Sequence, residues 1–177
     1  CNRIIQQSQL NRQSFTSLHI EDLYCSLVVK RVWFLFYRLF NLIRKMNSTD
    51  INALADIYYQ SRIVTFNWMN PNEIKLDDFH RDTKGEKVWV AELKGHVVGF
   101  VSFWEVEGFI HNLFVLPDYV SQGIGSQLLT TCLNHMSRTA TLKCVSANTK
   151  ALSFYKKKGW NTIGYGTSDG GEYQIMQ

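Results

Sequence analysis

Residues 109–126 read FIHNLFVLPDYVSQGIGS, and this stretch decides the fold class. Its first half is an apolar run that Pro117 closes, which is typical of a β-strand. Its second half is a glycine loop, and the apolar spacing that follows predicts a helix. A helix start exposes unpaired backbone amides and a partial positive charge, so it favours a phosphate or pyrophosphate. Gly-Ile-Gly alone fits neither the P-loop nor the dinucleotide spacing, and an ordinary tight turn is the alternative.

Strands and helices alternate in both directions from this stretch. The apolar runs predict strands at 40–46, 88–93, 97–104, 109–116, 141–146, 160–165 and 172–176. Helices are predicted after the capping residues 47–50, after the glycine loop and over 148–158. Residues 67–87 are polar with one weak helical pattern at 74–79, and we expect a substrate-side loop and helix there. The fold class that follows is α/β, with a mostly antiparallel sheet and helices on both faces.

The net charge of +4 is unevenly distributed along the 177 residues. Residues 1–45 hold seven basic and two acidic side chains, which leaves 12 basic and 13 acidic residues for the remainder. That remainder is close to neutral, so the basic balance describes a terminal segment and not a nucleic-acid-binding face. The lysine run at 156–158 is typical of a solvated helix C-terminus, and RNA binding is the alternative for it.

The segment before residue 39 differs in composition from the rest. It begins with Cys1 and holds no methionine before Met46, so we expect that something upstream is missing or foreign. Its longest apolar run, residues 32–37, is far below the roughly 20 residues of a membrane-spanning helix. We expect residues 1–38 to form an extension that is non-native or partly disordered. We expect the apolar stretch at 23–43 to pack on the domain or on a second copy of the chain, and a basic amphipathic helix lying on a membrane is the alternative.

Neither cysteines nor histidines show a metal-binding pattern. The four cysteines are Cys1, Cys25, Cys132 and Cys144, and the five histidines are His19, His80, His96, His111 and His135. No pair has the spacing of a zinc site, so we expect no metal. We interpret the cysteines as reduced thiols of a cytoplasmic protein that pack as small apolar side chains.

The second half of the chain resembles the GCN5-related N-acetyltransferase (GNAT) family. The resemblance rests on a strand followed by Gln122-Gly-Ile-Gly-Ser126 and a helix, and then on Asn148-Thr-Lys-Ala151 and Phe154-Tyr155-Lys-Lys-Lys-Gly159-Trp160. It extends from about Leu42 to Met176 and is more specific after residue 109. It implies a domain over 39–177 with the acyl-CoA N-acyltransferase fold, a splay between strands 4 and 5, and acetyl-CoA as co-substrate.

The resemblance also implies a set of cofactor-binding residues. The pantetheine arm would pair with the backbone of Leu113, Phe114 and Val115. The pyrophosphate would rest on loop residues, which here are Gln122, Gly123, Ile124, Gly125 and Ser126. Asn148 and Tyr155 would contact the cofactor as well. One position departs from the family, because the loop usually opens with Arg or Gln where this chain has Val120.

Two side chains are candidates for proton transfer. The family places a tyrosine at Tyr155 to protonate the leaving thiolate, and a core aromatic is the alternative. A substrate ammonium is neutral only about one part in 10^3 at pH 7, a cost of roughly 4 kcal/mol, so a base helps. His111 takes the strand position where many relatives carry a glutamate; a structural histidine is the alternative, and Glu105 and Glu107 are substitute bases.

These residues predict an N-acetyltransferase that transfers an acetyl group from acetyl-CoA to a primary amine of a small molecule or peptide by direct attack. A non-catalytic acyl-CoA-binding or sensing module is the alternative. We expect a cytoplasmic protein without nucleic-acid or membrane partners, either monomeric or a homodimer. Phe66, Trp68, Asp77 and Asp78 are compatible with an amine-binding pocket within residues 59–87.

Overall fold

A computed structural model describes residues 41–177 of the chain. The strands are β1 (Asn41–Lys45), β2 (Lys87–Leu93), β3 (His96–Trp104), β4 (Phe109–Val115), β5 (Thr141–Val145), β6 (Thr162–Ser168) and β7 (Gly171–Met176). The helices are α1 (Ile51–Thr65), α2 (Asp78–Asp82), α3 (Ile124–Asn134) and α4 (Thr149–Lys157). Cys1, Cys25, Phe40 and the extension over 1–38 lie outside the described residues, so the domain boundary at 39 stays a prediction.

The seven described strands form one sheet in the order β1-β2-β3-β4-β5-β7-β6. Every neighbouring pair is antiparallel except β4 and β5, which are parallel. The predicted meander is β2, β3 and β4, and Lys94 and Gly95 turn its first hairpin with positive φ angles of 52° and 82°. A positive φ at both central residues matches the right-handed twist of the strands. The mostly antiparallel mixed sheet is confirmed.

Helices cover both faces of this sheet, because successive strand residues point to opposite sides. The core on the α3 and α4 side includes Val101, Phe103, Leu128, Leu142 and Tyr155. The core on the α1 and α2 side includes Leu54, Tyr58, Phe79, Val90 and Phe100. The predicted helix layers are therefore both present, and β4 lies between them.

A one-turn 3-10 helix at Ser48–Asp50 leads directly into α1, and its start follows the predicted capping pattern. The Asn47 side chain accepts a hydrogen bond from the Thr49 amide at 2.9 Å, and the Asp50 carboxylate accepts one from the Asn47 amide at 2.8 Å. This reciprocal arrangement satisfies two amides that a helix start leaves unpaired. Arg44 of β1 also binds Asp50, at 2.7 Å, and lowers the pKa of that carboxyl. The edge strand is thereby tied to the first helix.

The short helix predicted at 74–79 is wrong in its bounds, because α2 begins at Asp78 and ends at Asp82. The Asp78 carboxylate accepts a hydrogen bond from the Lys75 amide at 2.9 Å. This bond closes a turn over 75–78, where the apolar spacing predicts a helix. Buried Ile74 supplied the misleading apolar position.

Candidate active site

The strands β4 and β5 separate after two residue pairs. Phe109 pairs with Thr141 and Ile110 with Leu142, and from residue 111 onward β4 has no registered partner on β5 within the described chain. From Leu142 onward β5 instead pairs with β7 on its other side. Five of the seven residues of β4 thus have no partner on that side of the strand among the described residues, and the predicted splay is confirmed.

A β-bulge in β4 lies where the two strands part. Phe103 of β3 pairs with Ile110 and Ser102 pairs with Asn112, so His111 is the extra residue. The Asn112 amide group donates a buried hydrogen bond of 2.8 Å to the Ser102 hydroxyl, which fixes the register beyond the bulge. Bulges increase local twist and bend a strand. The bulge coincides with the end of the pairing between β4 and β5, and His111 is the first residue of β4 beyond it.

The glycine loop ends at the N-terminus of α3. Gly123 caps the helix with a φ of +84°, and the Gln127 amide donates the first helical bond to its carbonyl at 3.1 Å. The amides of Ile124, Gly125 and Ser126 therefore have no acceptor within the helix. The Gln122 side chain donates to the Asp118 carbonyl at 3.1 Å, which closes the loop on itself.

The start of α3 lies between the end of β4 and α4. A Cβ added at Gly125 would come within 3.8 Å of the Phe154 ring and 3.9 Å of the Val115 side chain. The predicted cofactor-binding groups at 113–115, 122–126 and α4 are therefore neighbours. The Val120 side chain is exposed beside the loop and offers no polar group to an anion there.

Tyr155 lies in the core on the α3 and α4 side of the sheet, with only 8% of the residue exposed. Its ring contacts Phe154 and Trp160, at centroid distances of 5.2 and 5.7 Å. Burial raises the pKa of the Tyr155 hydroxyl, and the nearby Cys144 and Cys132 thiols raise it further. Among residues 41–177 no hydrogen bond to this hydroxyl is seen. Tyr155 is thus a protonated phenol whose hydroxyl has no hydrogen-bond partner among the described residues.

Asn148 and two cysteines near Tyr155 have structural contacts. Asn148 caps α4, and its side-chain oxygen accepts a hydrogen bond from the Ala151 amide at 3.1 Å. Cys132 and Cys144 are free and buried, and burial raises their pKa values to about 12 and about 11. The interpretation of these two cysteines as apolar core residues is confirmed.

His111 has a carboxylate partner that sequence reasoning missed. Its Nδ1 contacts the Oε1 atom of Glu86, whose side chain is 4% exposed, while the histidine side chain is 41% exposed. Glu86 directly precedes β2, with β3 between it and β4, so no local spacing connects the two residues. The substitute base Glu105 forms an ion pair with Lys87 at the surface, and Glu107 is exposed in the turn.

The predicted acceptor segment contributes an aromatic wall. Phe66 and Trp68 stack at a centroid distance of 4.7 Å, and Phe66 lies 6.0 Å from Phe114 of β4. Asp78, which the sequence makes a candidate for an amine-binding pocket, has a structural role instead. Its carboxylate is buried and binds Arg62 at 3.0 Å as well as Arg81 and the Lys75 amide, so it anchors the segment.

Residues 41–177 contain neither a metal-binding cluster nor a membrane-spanning helix. No group of three or more His, Cys, Asp or Glu side chains is arranged to hold a metal ion there. Nor does that part of the chain contain a helix with the length and apolar character needed to cross a bilayer.

Comparisons with known proteins agree with this geometry. The family model described as "Acetyltransferase (GNAT) family" matches residues 51–160. The uncharacterized N-acetyltransferase YafP of Escherichia coli K12 is 29% identical over 128 residues, which cover 68% of this chain and 81% of YafP. An uncharacterized N-acetyltransferase of Archaeoglobus fulgidus is 30% identical over 131 residues, covering 64% of this chain and 88% of that protein.

A solved structure shares the fold. The crystal structure of the PaiA N-acetyltransferase of Thermoplasma acidophilum in complex with coenzyme A superposes with a TM-score of 0.64. The superposition covers 77% of this chain and 98% of PaiA, at 19% identity.

Proposed function

This chain belongs to the acetyltransferase (GNAT) family and is an acetyl-CoA-dependent acetyltransferase, and from that premise we propose that it acetylates a primary amine of a small molecule or peptide. The transfer proceeds by direct attack of the amine while both substrates are bound. The observation that carries this proposal is the parting of β4 from β5 beside the free amides of α3.

The opening between β4 and β5 fits acetyl-CoA, which supplies an acetyl group already activated as a thioester. The unpaired edge at Leu113, Phe114 and Val115 suits the extended amide chain of the pantetheine arm, as a strand edge suits a peptide. The amides at the start of α3 suit the pyrophosphate, since they combine free donors with the positive end of the helix dipole. With Val120 apolar, most of this attraction comes from backbone amides.

Tyr155 is the proposed acid that protonates the leaving sulfur. Its raised pKa keeps the proton on the phenol throughout the physiological range. Burial also makes a thiolate a stronger base, because a low-dielectric environment disfavours the charged form of each group. The proton transfer from Tyr155 to sulfur therefore stays feasible. The thiolate, whose thiol has a pKa of about 8.5 in water, leaves more easily when a donor protonates it.

His111 is the proposed base that takes the proton from the amine. It lies in the bulge of β4, where the pairing with β5 ends, and its side chain is exposed to solvent, so an incoming amine can reach it. A neutral imidazole accepts a proton near neutral pH, directly or through one water. The ion pair of Glu105 with Lys87 makes that carboxylate a weaker candidate, and Glu107 has only the solvated turn around it.

The acceptor is proposed to enter beside the Phe66 and Trp68 stack. Aromatic faces attract an ammonium group and cover the carbon chain that carries it. Within the same proposal the protein acts in the cytoplasm, as a monomer or homodimer, and nucleic acid and membranes are not its partners.

The test combines binding and turnover on the full chain. Thermal unfolding is followed with acetyl-CoA, longer acyl-CoAs and ATP, and thiol release from acetyl-CoA is then measured across a panel of primary amines. We expect stabilisation by acetyl-CoA above that by ATP, and release with at least one amine. Binding without release by any amine would favour the acyl-CoA-sensing module, and the absence of stabilisation by every CoA compound would contradict the proposal.

A further inference from the structure

In the ion pair between Glu86 and His111, only one of the two carboxylate oxygens has a partner among the described residues. Glu86 is buried, its Oε1 atom contacts Nδ1 of His111, and its Oε2 atom is buried without a hydrogen-bond partner among the described residues. A half-satisfied carboxylate is unfavourable for stability, since a buried charge keeps its desolvation cost unless hydrogen bonds offset it. Such unsatisfied groups in folded proteins call for an explanation, either a catalytic role or an ordered water at the free oxygen.

We propose that Glu86 is a positioning residue that holds His111 as a neutral base with its proton on Nδ1. This inference rests on the proposed function, in which His111 accepts the proton of the amine. An ionised carboxylate only accepts hydrogen bonds, so its partner atom Nδ1 must carry the proton. The lone pair of the neutral ring is then on Nε2, the nitrogen turned away from Glu86.

The arrangement fits the burial of the two side chains. The carboxylate is fixed inside the fold, where the Glu86 backbone amide also donates to the Thr83 carbonyl at 3.1 Å. The histidine side chain, by contrast, is 41% exposed and packs one ring face near Phe109, at a centroid distance of 4.6 Å. A buried partner thus sets the orientation of a side chain that solvent and substrate can reach.

The proton balance of the transfer assigns each group one task. As the bond from nitrogen to the acetyl carbon forms, the bond from that carbon to sulfur breaks. The amine proton moves to Nε2 of His111, and the resulting imidazolium is stabilised by the adjacent Glu86 carboxylate. The Tyr155 proton moves to sulfur. After the transfer the imidazolium of His111, which is open to solvent, gives its proton to water. Tyr155 regains one proton from water, so both groups return to their starting state.

The tautomer is measured directly by NMR of the full chain labelled with 15N-histidine, in which the His111 signals are assigned by comparison with His111→Gln. The spectrum is recorded about two pH units above the ordinary histidine pKa of about 6.5, where imidazoles are neutral. We expect an Nδ1-protonated ring in the wild type and in Glu86→Gln, whose amide oxygen still accepts. In Glu86→Ala the ring should lose this preference. An Nε2-protonated wild-type ring, or an unchanged tautomer in Glu86→Ala, would overturn the proposal.

Kinetics provide a second readout with an amine found active in the panel. Glu86→Ala should lower kcat about 10- to 100-fold, within the usual contribution of acid-base catalysis, while the Kd for acetyl-CoA stays at its wild-type value. Glu86→Gln should restore part of kcat, because it keeps the orientation and loses only the charge. The matched control Glu172→Gln changes an exposed carboxylate on β7. A wild-type kcat for Glu86→Ala would overturn the proposal.

The two proposals fail separately. If no amine is acetylated while the wild-type ring is protonated on Nδ1 through Glu86, the proposed function falls and the positioning by Glu86 is supported. If amines are acetylated and the wild-type ring is protonated on Nε2, the function stands and the role of Glu86 falls.

Discussion

Gly123 and Gly159 adopt almost the same backbone conformation in different surroundings. Their φ angles are +84° and +87°, a region that residues with a Cβ rarely adopt, and an added Cβ at either glycine would meet no atom within 4 Å. Only Gly123 caps α3 beside the free amides. Alanine variants of the two glycines therefore share the loss of stability from backbone strain, and only the Gly123 variant should also weaken the binding of an anion.

Both Gly123→Ala and Gly159→Ala should lose about 1 kcal/mol of stability from backbone strain. Gly123→Ala should also weaken acetyl-CoA binding about tenfold, since a methyl group at the loop removes roughly one hydrogen bond to a charged group. Calorimetric titration and thermal unfolding of both variants check this. Equal Kd values for the two variants would show that the loop does not bind the pyrophosphate.

Tyr155→Phe tests the proposed acid without disturbing the core. The variant keeps the ring contacts with Phe154 and Trp160, and in the described part of the chain the hydroxyl has no hydrogen bond to lose. We expect kcat to fall about 100-fold, with unchanged thermal stability and acetyl-CoA affinity. Tyr165→Phe, at an exposed tyrosine on β6, is the matched control. A Tyr155→Phe variant with wild-type kcat would remove this residue from the mechanism.

At the level of elements, the close approach of β3 to β4 depends on Gly99. A Cβ there would lie 2.7 Å from the Phe114 carbonyl oxygen and 3.2 Å from the Val115 Cα, both backbone atoms that cannot turn aside. Gly164 of β6 has an ordinary φ and would place its Cβ 3.4 Å from the Ile175 side chain. The two strand glycines therefore differ in what a methyl group would displace.

Gly99→Ala should cost about 1–3 kcal/mol, as overpacking does, and should shift the β4 edge that is proposed to bind the pantetheine arm. Gly164→Ala should cost less, because a side chain can adjust. Urea unfolding and acetyl-CoA titration of both variants measure the two effects. A Gly99→Ala variant with wild-type stability and affinity would contradict the role assigned to this edge.

The anchoring of α2 predicts a pH dependence of stability. Burial alone would raise the pKa of Asp78, but the Lys75 amide and the Arg62 guanidinium outweigh it and lower that pKa below its usual value of 3.8. A carboxyl with a lowered pKa stabilises the fold above its unfolded pKa and loses that contribution as pH falls through the folded value.

Asp78→Asn should therefore cost about 3 kcal/mol at pH 7, as breaking a buried ion pair does, and the difference from wild type should shrink below about pH 4. The adjacent Asp77→Asn changes an exposed side chain and is the matched control. Urea unfolding at several pH values checks both. A pH-independent loss in Asp78→Asn would show that charge is not what anchors α2.

Sequence patterns predicted those elements whose causes are local. Alternating apolar residues located the strands, and the capping pattern at Asn47 and Asp50 located the start of α1. The bounds of α2 depend on Asp78 binding Lys75, Arg62 and Arg81, which only the folded chain brings together. The bulge at His111 likewise depends on the register with β3 and leaves no mark in β4 itself.

At the scale of the whole molecule, the candidate site lies where the parallel strands β4 and β5 separate within an otherwise antiparallel sheet. A strand, a glycine loop and a helix that follow one another directly indicate a phosphate-binding loop, and the resemblance to the GNAT family supplied the residues 122–126 and Tyr155. Sequence reasoning missed Glu86, which is joined to His111 only across β3. The net charge of +4 gave no guide to the site, since the expected attraction for a polyanionic cofactor comes from backbone amides.

Direct transfer between two bound substrates is tested by initial rates of thiol release over a grid of acetyl-CoA and amine concentrations. A ternary complex predicts double-reciprocal lines that intersect. Parallel lines would indicate a covalent acetyl-enzyme, which is the kinetic sign of a ping-pong reaction, and would contradict the account. So would the absence of release with every amine at acetyl-CoA concentrations that saturate binding.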